Sequence, residues 1–132
     1  MSAFGRNMKA WAEKAKAGVD QVTRAAIIDV STDVIKQTPV DSGRARGNWF
    51  ASIDNPIQSP ILTEKDVTGA MSIARTNAVA AGAPGNKYYL TNNLPYIFRL
   101  EYQGWSKQAP QGMVRVSVLR FHAALKKAIN EL

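Results

Sequence analysis

The chain has 132 residues, 17 Lys and Arg against 10 Asp and Glu, and a formal charge of +7 at neutral pH. That length implies one domain able to bury about two-thirds of the surface of its unfolded chain, and 45% hydrophobic with 20% charged residues excludes a wholly disordered chain. The absence of cysteine excludes disulfide frameworks, thiolate metal sites and cysteine nucleophiles; no apolar run approaches the ~20 residues of a membrane span, and no apolar stretch follows the first basic residues as in a secretory signal.

From Phe4 to Gln37 the pattern is helical. Phe4, Met8, Trp11, Ala15, Val19, Val22, Ala26, Val30 and Val34 recur every three or four residues and share one face. Ser2 is placed to cap this helix, and Pro39 disfavours helix at Thr38 and stops it. Thirty-four residues make a helix of about 50 Å, whereas a domain of this length has a diameter of roughly 36 Å. Either the helix breaks near Gly18 or its first half projects, and a projecting stripe of Phe4, Met8, Trp11 and Ala15 needs a neighbour to cover it.

Thr38 to Gly47 is a turn-rich connector, and Trp49 to Ile53 alternates as a strand with Trp49, Ala51 and Ile53 on one side. Asn55 to Thr63, with Pro56 and Pro60, is a loop or an edge excursion. Asp66 or Thr68 caps a second helix whose Ala70, Ile73, Ala74 and Asn77 share a face, and Gly82, Pro84 and Gly85 end it. Lys87 to Thr91 is a short strand closed by Asn92-Asn93. Tyr96 to Tyr102 reads equally as a helical turn or a strand, and Gln103 to Gly112 as a loop. Val114, Val118, Phe121, Leu125, Ala128, Ile129 and Leu132 line a C-terminal helix, although Val114, Val116 and Val118 also suit a strand in its first turns. The expected fold is α+β: a long N-terminal helix over residues 1–37, then a body over 38–132 with a small antiparallel sheet and two further helices, all one domain.

Few residues offer chemistry. His122 is the one histidine and reads as a helix-surface or core-edge imidazole, and no metal-ligand spacing or phosphate-binding glycine loop is present. Asp41-Ser42-Gly43 is similar to the triplet of dimeric aspartic proteases, but it follows a long helix rather than a hydrophobic strand and is trailed by Arg44 and Arg46. A turn in which Asp41 caps amides and Gly43 supplies a positive φ fits better. Glu101 and Asp66 show no acid–base pairing. Arg44, Arg46 and Trp49 fit either a basic–aromatic nucleic-acid surface or a strand with a core Trp and a solvated basic face. No catalytic residue, cofactor or metal is expected.

Three stretches, TPVDSGRARGNWF (Thr38 to Phe50), KYYLTNNLPYIFRLEYQGWS (Lys87 to Ser106) and KQAPQGMVRVSV (Lys107 to Val118), following a long helix, resemble the neck or tail-completion (minor tail, head-tail joining) proteins of tailed bacteriophages. The resemblance covers most of the chain from Thr38 onward; Ala45 stands where many relatives have Leu. It implies a non-enzymatic virion structural protein, assembled in the host cytoplasm. About six copies form a ring, a homohexamer, at the head-proximal end of the tail. Its partners are then further copies of itself, the head-tail connector and the tail terminator or tube proteins, with genomic DNA passing through the lumen unread and no membrane. The candidate interface comprises Phe4, Met8 and Trp11 on the first helix, Asp41, Arg44 and Arg46 in the connector, and Trp105, Lys107, Gln108 and Met113 in and after the second loop. The alternative is a small basic DNA-binding accessory protein, suggested by the +7 charge and the Arg44, Arg46 and Trp49 cluster; a dimeric aspartic protease is a distant third.

Overall fold

The computed structural model of the chain describes residues 3–40, 43–57, 61–63, 65–109, 111–121, 123, 126 and 130, and for residues 3–8 and 11 the backbone alone. The expectations for Ser2, Asp41, His122, Leu125, Ala128, Ile129 and Leu132, and for the side chains of Phe4, Met8 and Trp11, lie outside the described residues. Helix α1, Ala3–Gln37, runs for 35 residues without a break at Gly18, a length of about 52 Å. Its stripe changes character along that length. Val22, Ala26, Val34 and Ile35 are buried, whereas Val19 is 63% exposed and Ala15 is also exposed. The body therefore covers α1 from Val22 onward, and the preceding nineteen residues, about 28 Å of helix, extend past it.

The end of α1 is locked by the segment that follows. The Thr38 amide donates to Ile35 O at 3.2 Å, and its hydroxyl donates to Val34 O at 2.8 Å. A one-turn helix α2, Arg44–Gly47, begins after Gly43 at φ 87. A Cβ at Gly43 would meet the backbone nitrogens of Asp66 and Val67 at 2.8 Å, so the close approach of two backbones there requires glycine. Strand β1, Trp49–Ile53, pairs antiparallel with β2, Tyr88–Asn92, in the register Trp49 to Asn92 and Ile53 to Tyr88.

Between the strands lies α3, Ala70–Ala80, which packs on α1 and β1. Both caps suggested by the sequence act on it: the Asp66 carboxylate accepts from the amides of Met71 at 3.4 Å and Ser72 at 3.0 Å, and Thr68 Oγ1 accepts from Ala70. Of the expected face Ala70, Ile73, Ala74 and Asn77, Ile73 packs against the core, whereas Ala70 and Ala74 are exposed and Asn77 is half-buried. Ser72, Thr76 and Ala80 are the buried residues, spaced by four along the helix. Their small side chains allow close approach, and the two hydroxyls are satisfied by backbone: Ser72 Oγ donates to Arg46 O and Thr76 Oγ1 to Ile73 O.

The ambiguous segment is a short helix, α4, Ile97–Tyr102, and the valine-rich stretch is helix α5, Val114–Leu119, not a strand. The deciding residue is Glu101. Its carboxylate accepts from the amides of Met113 at 2.6 Å, Val114 at 3.1 Å and Arg115 at 2.8 Å, satisfying donors that a helix start leaves without partners. β-Branching at Val114, Val116 and Val118 is a weaker preference than this cap. The expected apolar face of α5 is partly open, with Val118 56% exposed. The core joins Val34 and Ile35 of α1 to Ala45, Trp49, Leu94, Leu100, Ala109 and Met113. Long helix, two-stranded antiparallel sheet and further helices make the fold α+β. Among the described residues no helix is long and apolar enough to cross a membrane.

Candidate interaction site

Residues 39, 40 and 43–45 of the connector and the loop 105–108 converge on one cleft of about 610 Å³, lined by Arg44, Tyr96, Leu100, Trp105, Lys107 and Gln108 among others. Four of the expected interface residues, Arg44, Trp105, Lys107 and Gln108, thus meet although sixty residues separate the two stretches. Gln108 holds the loops together: its Nε2 donates to Val40 O and its Oε1 accepts from Val40 N, both at 2.8 Å. The Gln108 amide also donates to Ser106 Oγ at 3.1 Å. Both walls of the cleft are therefore held before any partner arrives.

The basic residues divide by what they touch. Arg46 is not a surface cation awaiting a ligand. Its guanidinium donates to Thr38 O at 2.8 Å, Lys36 O at 2.8 Å and Val67 O at 2.7 Å, capping the last carbonyls of α1 with a positive charge where the helix dipole favours one. Arg75 donates to Gly47 O and Trp49 O and lies 4.0 Å over the Phe50 ring. Arg115 is tied to Glu101 through its carbonyl and, at 3.8 Å, its carboxylate. Arg44 differs from all three in that no atom of its guanidinium bonds an oxygen among the described residues, and its Nε is buried.

Trp49, grouped with these arginines in the sequence, is core rather than surface. It is 4% exposed, and its indole nitrogen donates to Thr38 Oγ1 at 2.9 Å. Met113 is likewise misplaced by the sequence reading. It is 0% exposed, held under α4 and α5 by the cap at Glu101, and contributes to the core instead of an interface. Asp66 and Glu101, the two carboxylates weighed for acid–base work, are each occupied by backbone amides. Among the described residues no three His, Asp or Glu side chains gather as a metal site would need.

Beside the cleft, α4 presents an aromatic rim that sequence reasoning missed. Phe98 and Tyr102, each 58% exposed, stack at 4.8 Å between ring centroids, as their i, i+4 spacing on a helix permits. Arg115 lies 5.0 Å over Tyr102 and Arg99 5.2 Å over Trp105, which is itself 58% exposed. Exposed aromatics stiffened by arginine stacking are the composition that protein interfaces favour. The helical reading of Tyr96 to Tyr102 was the signal that would have placed Phe98 and Tyr102 together.

A second cleft of about 680 Å³ lies between α1, α3 and the segment after α5, lined by Asp29, Asp33, Lys36 and Arg120. Its charges are of both signs, and Arg120 already pairs with Asp33 at 2.8 Å. No protein-family model matches the chain, no curated protein matches it, and no solved structure matches it.

Proposed function

We propose that the chain is a non-enzymatic structural subunit of a tailed-phage neck: a tail-completion protein, about six copies of which form a ring that joins the tail tube to the head connector with DNA passing through the lumen. The observation that carries this reading is the uncovered half of α1. The chain exposes 8424 Å², against about 6,800 Å² for a compact monomer of its 14.4 kDa. The excess of this one chain, about 1,600 Å², is about twice the ~800 Å² that each partner contributes to a standard interface, in keeping with the two interfaces each copy makes in a ring. A head-to-tail ring covers such an arm naturally, because one face of each copy meets a different face of the next. The three stretches that resemble neck proteins supply the class of assembly, and its place is then the virion neck, built in the host cytoplasm.

The polar chemistry agrees with a structural role. Asp66 and Glu101 serve as helix caps, and Arg46 and Arg75 serve as ties to backbone carbonyls, so the basic cluster read from the sequence retains Arg44 alone as an uncommitted cation. This lowers the case for the DNA-binding alternative. Contact with passing DNA is then weak, independent of sequence and steeply salt-dependent. A hundredfold preference for one duplex site near physiological salt, worth about 2.7 kcal/mol, would make that alternative the better account.

The decisive experiment removes residues 1–17 and compares the shortened chain with the full one by sedimentation and negative-stain imaging. We expect the full chain to self-associate or form rings and the shortened one to stay monomeric, with its melting temperature within about 2 °C of the parent. Unchanged assembly after the deletion refutes the role assigned to the arm.

A further inference from the structure

We propose that the cleft between the connector and the 105–108 loop receives a carboxylate side chain from an acidic segment of a partner protein other than a second copy of this chain. The inference rests on reading this face as a docking surface of the neck subunit. Arg44 is the anchor. A guanidinium carries five donors and no acceptor, and leaving one half-buried without an oxygen partner costs free energy that a planar, bidentate carboxylate recovers. The arginines at 46, 75 and 115 all reach oxygen atoms of this chain, whereas no atom of the Arg44 guanidinium reaches one among the described residues, and its Nε is buried. Lys107 lines the same cleft, and among the described lining residues none is acidic. The described lining is thus basic and walled by Tyr96, Leu100 and Trp105, which suits a carboxylate borne next to an apolar residue.

The shape argues for a peptide rather than a duplex. Duplex DNA places about one charge every 1.7 Å along a rod and is met by a file of exposed cations. Here the two cations converge on a recess of about 610 Å³, in the size range of pockets that enclose a small ligand or a few side chains. Charge argues against the arm of a second copy as the occupant. Residues 3–17 carry Arg6, Lys9, Lys14 and Lys16 against Glu13 alone, a net +3 that Arg44 and Lys107 repel. The arm and the cleft accordingly meet different surfaces. The cost of ordering is low because Gln108 already clamps Val40 from both sides and Gly43 is wedged against the backbone of Asp66 and Val67.

The test is a titration of the ¹⁵N-labelled full chain, following the Trp105 indole and the Gln108 side-chain amide, with the acidic peptide acetyl-Gly-Glu-Leu-Glu-Gly-amide. Its Gln isostere and a twelve-base-pair duplex serve as comparison probes. We expect the acidic peptide to shift both signals with at least tenfold higher affinity than the isostere. Arg44→Gln should weaken that binding at least tenfold and Arg44→Lys should restore part of it, all three chains melting at the same temperature. Equal affinity for the two peptides, binding unaffected by Arg44→Gln, or a duplex that shifts Trp105 at lower concentration than the peptide would overturn the proposal. Sedimentation of Arg44→Gln keeps this separate from the ring reading: self-association belongs to the arm and should persist in a variant that has lost the peptide. Loss of both together would also overturn the proposal.

Discussion

Glu101→Gln tests whether a buried carboxylate here is a structural cap. The side chain sits in a residue only 6% exposed and accepts three backbone amides, at 2.6, 3.1 and 2.8 Å. Glutamine keeps one carbonyl oxygen but turns an NH₂ toward at least one of those N–H groups, so a donor faces a donor inside the protein. A hydrogen bond to a charged group contributes about 1.5–3 kcal/mol, and an unsatisfied buried donor costs about 1–3 kcal/mol. These losses overlap, and the 3.8 Å contact with half-exposed Arg115 adds little, so the net cost is about 2–3 kcal/mol. Unfolding entropy of about 2.1 cal/mol/K per residue converts this to a fall in melting temperature of roughly 7–11 °C. The assay is thermal unfolding followed at 222 nm, with Glu13→Gln on the exposed arm as the control. A fall no larger than that control, within about 2 °C, would refute the assignment of Glu101 as the cap that starts α5.

Two further outcomes follow from burial. Met113→Ala should destabilise the chain by about 2–5 kcal/mol in urea unfolding, as loss of a fully buried side chain does, and should leave binding at the cleft unchanged once the chain is folded; selective loss of binding with full stability would restore Met113 to the interface. Tyr88 is held neutral above the ordinary tyrosine value of 10.0, chiefly by burial and against the opposing hydrogen bond with Ser31. Because the folded state keeps that proton longer than the unfolded chain, the contribution of Tyr88 is fully present below pH 10 and is lost as pH rises through 10 and then through the folded-state value. Urea midpoints between pH 8 and 11 should therefore fall more steeply for the parent than for Tyr88→Phe, and parallel curves would count against a raised, half-buried phenol.

Local chemistry in the sequence determined the secondary elements wherever one signal dominated. The three-and-four spacing from Phe4 to Val34 and the block at Pro39 specify α1, and alternation specifies β1 from Trp49. The carboxylate at Asp66 specifies where α3 starts, because each of these acts over a few residues. The excess length of α1 over the domain diameter was legible for the same reason, since rise per residue is a constant of the helix. Tertiary structure alone decided what lies far apart in the chain. Glu101 turned Val114 to Leu119 into helix through a cap twelve residues away, overriding β-branched preference. Distant carbonyls claimed Arg46, whereas Arg44, two residues earlier, was left in a cleft completed by Trp105 and Lys107. Charge and residue type are the same for both arginines. What separates them is which backbone oxygen lies within 3 Å, and that distance is set by the packing of α1, α3 and the connector on one another.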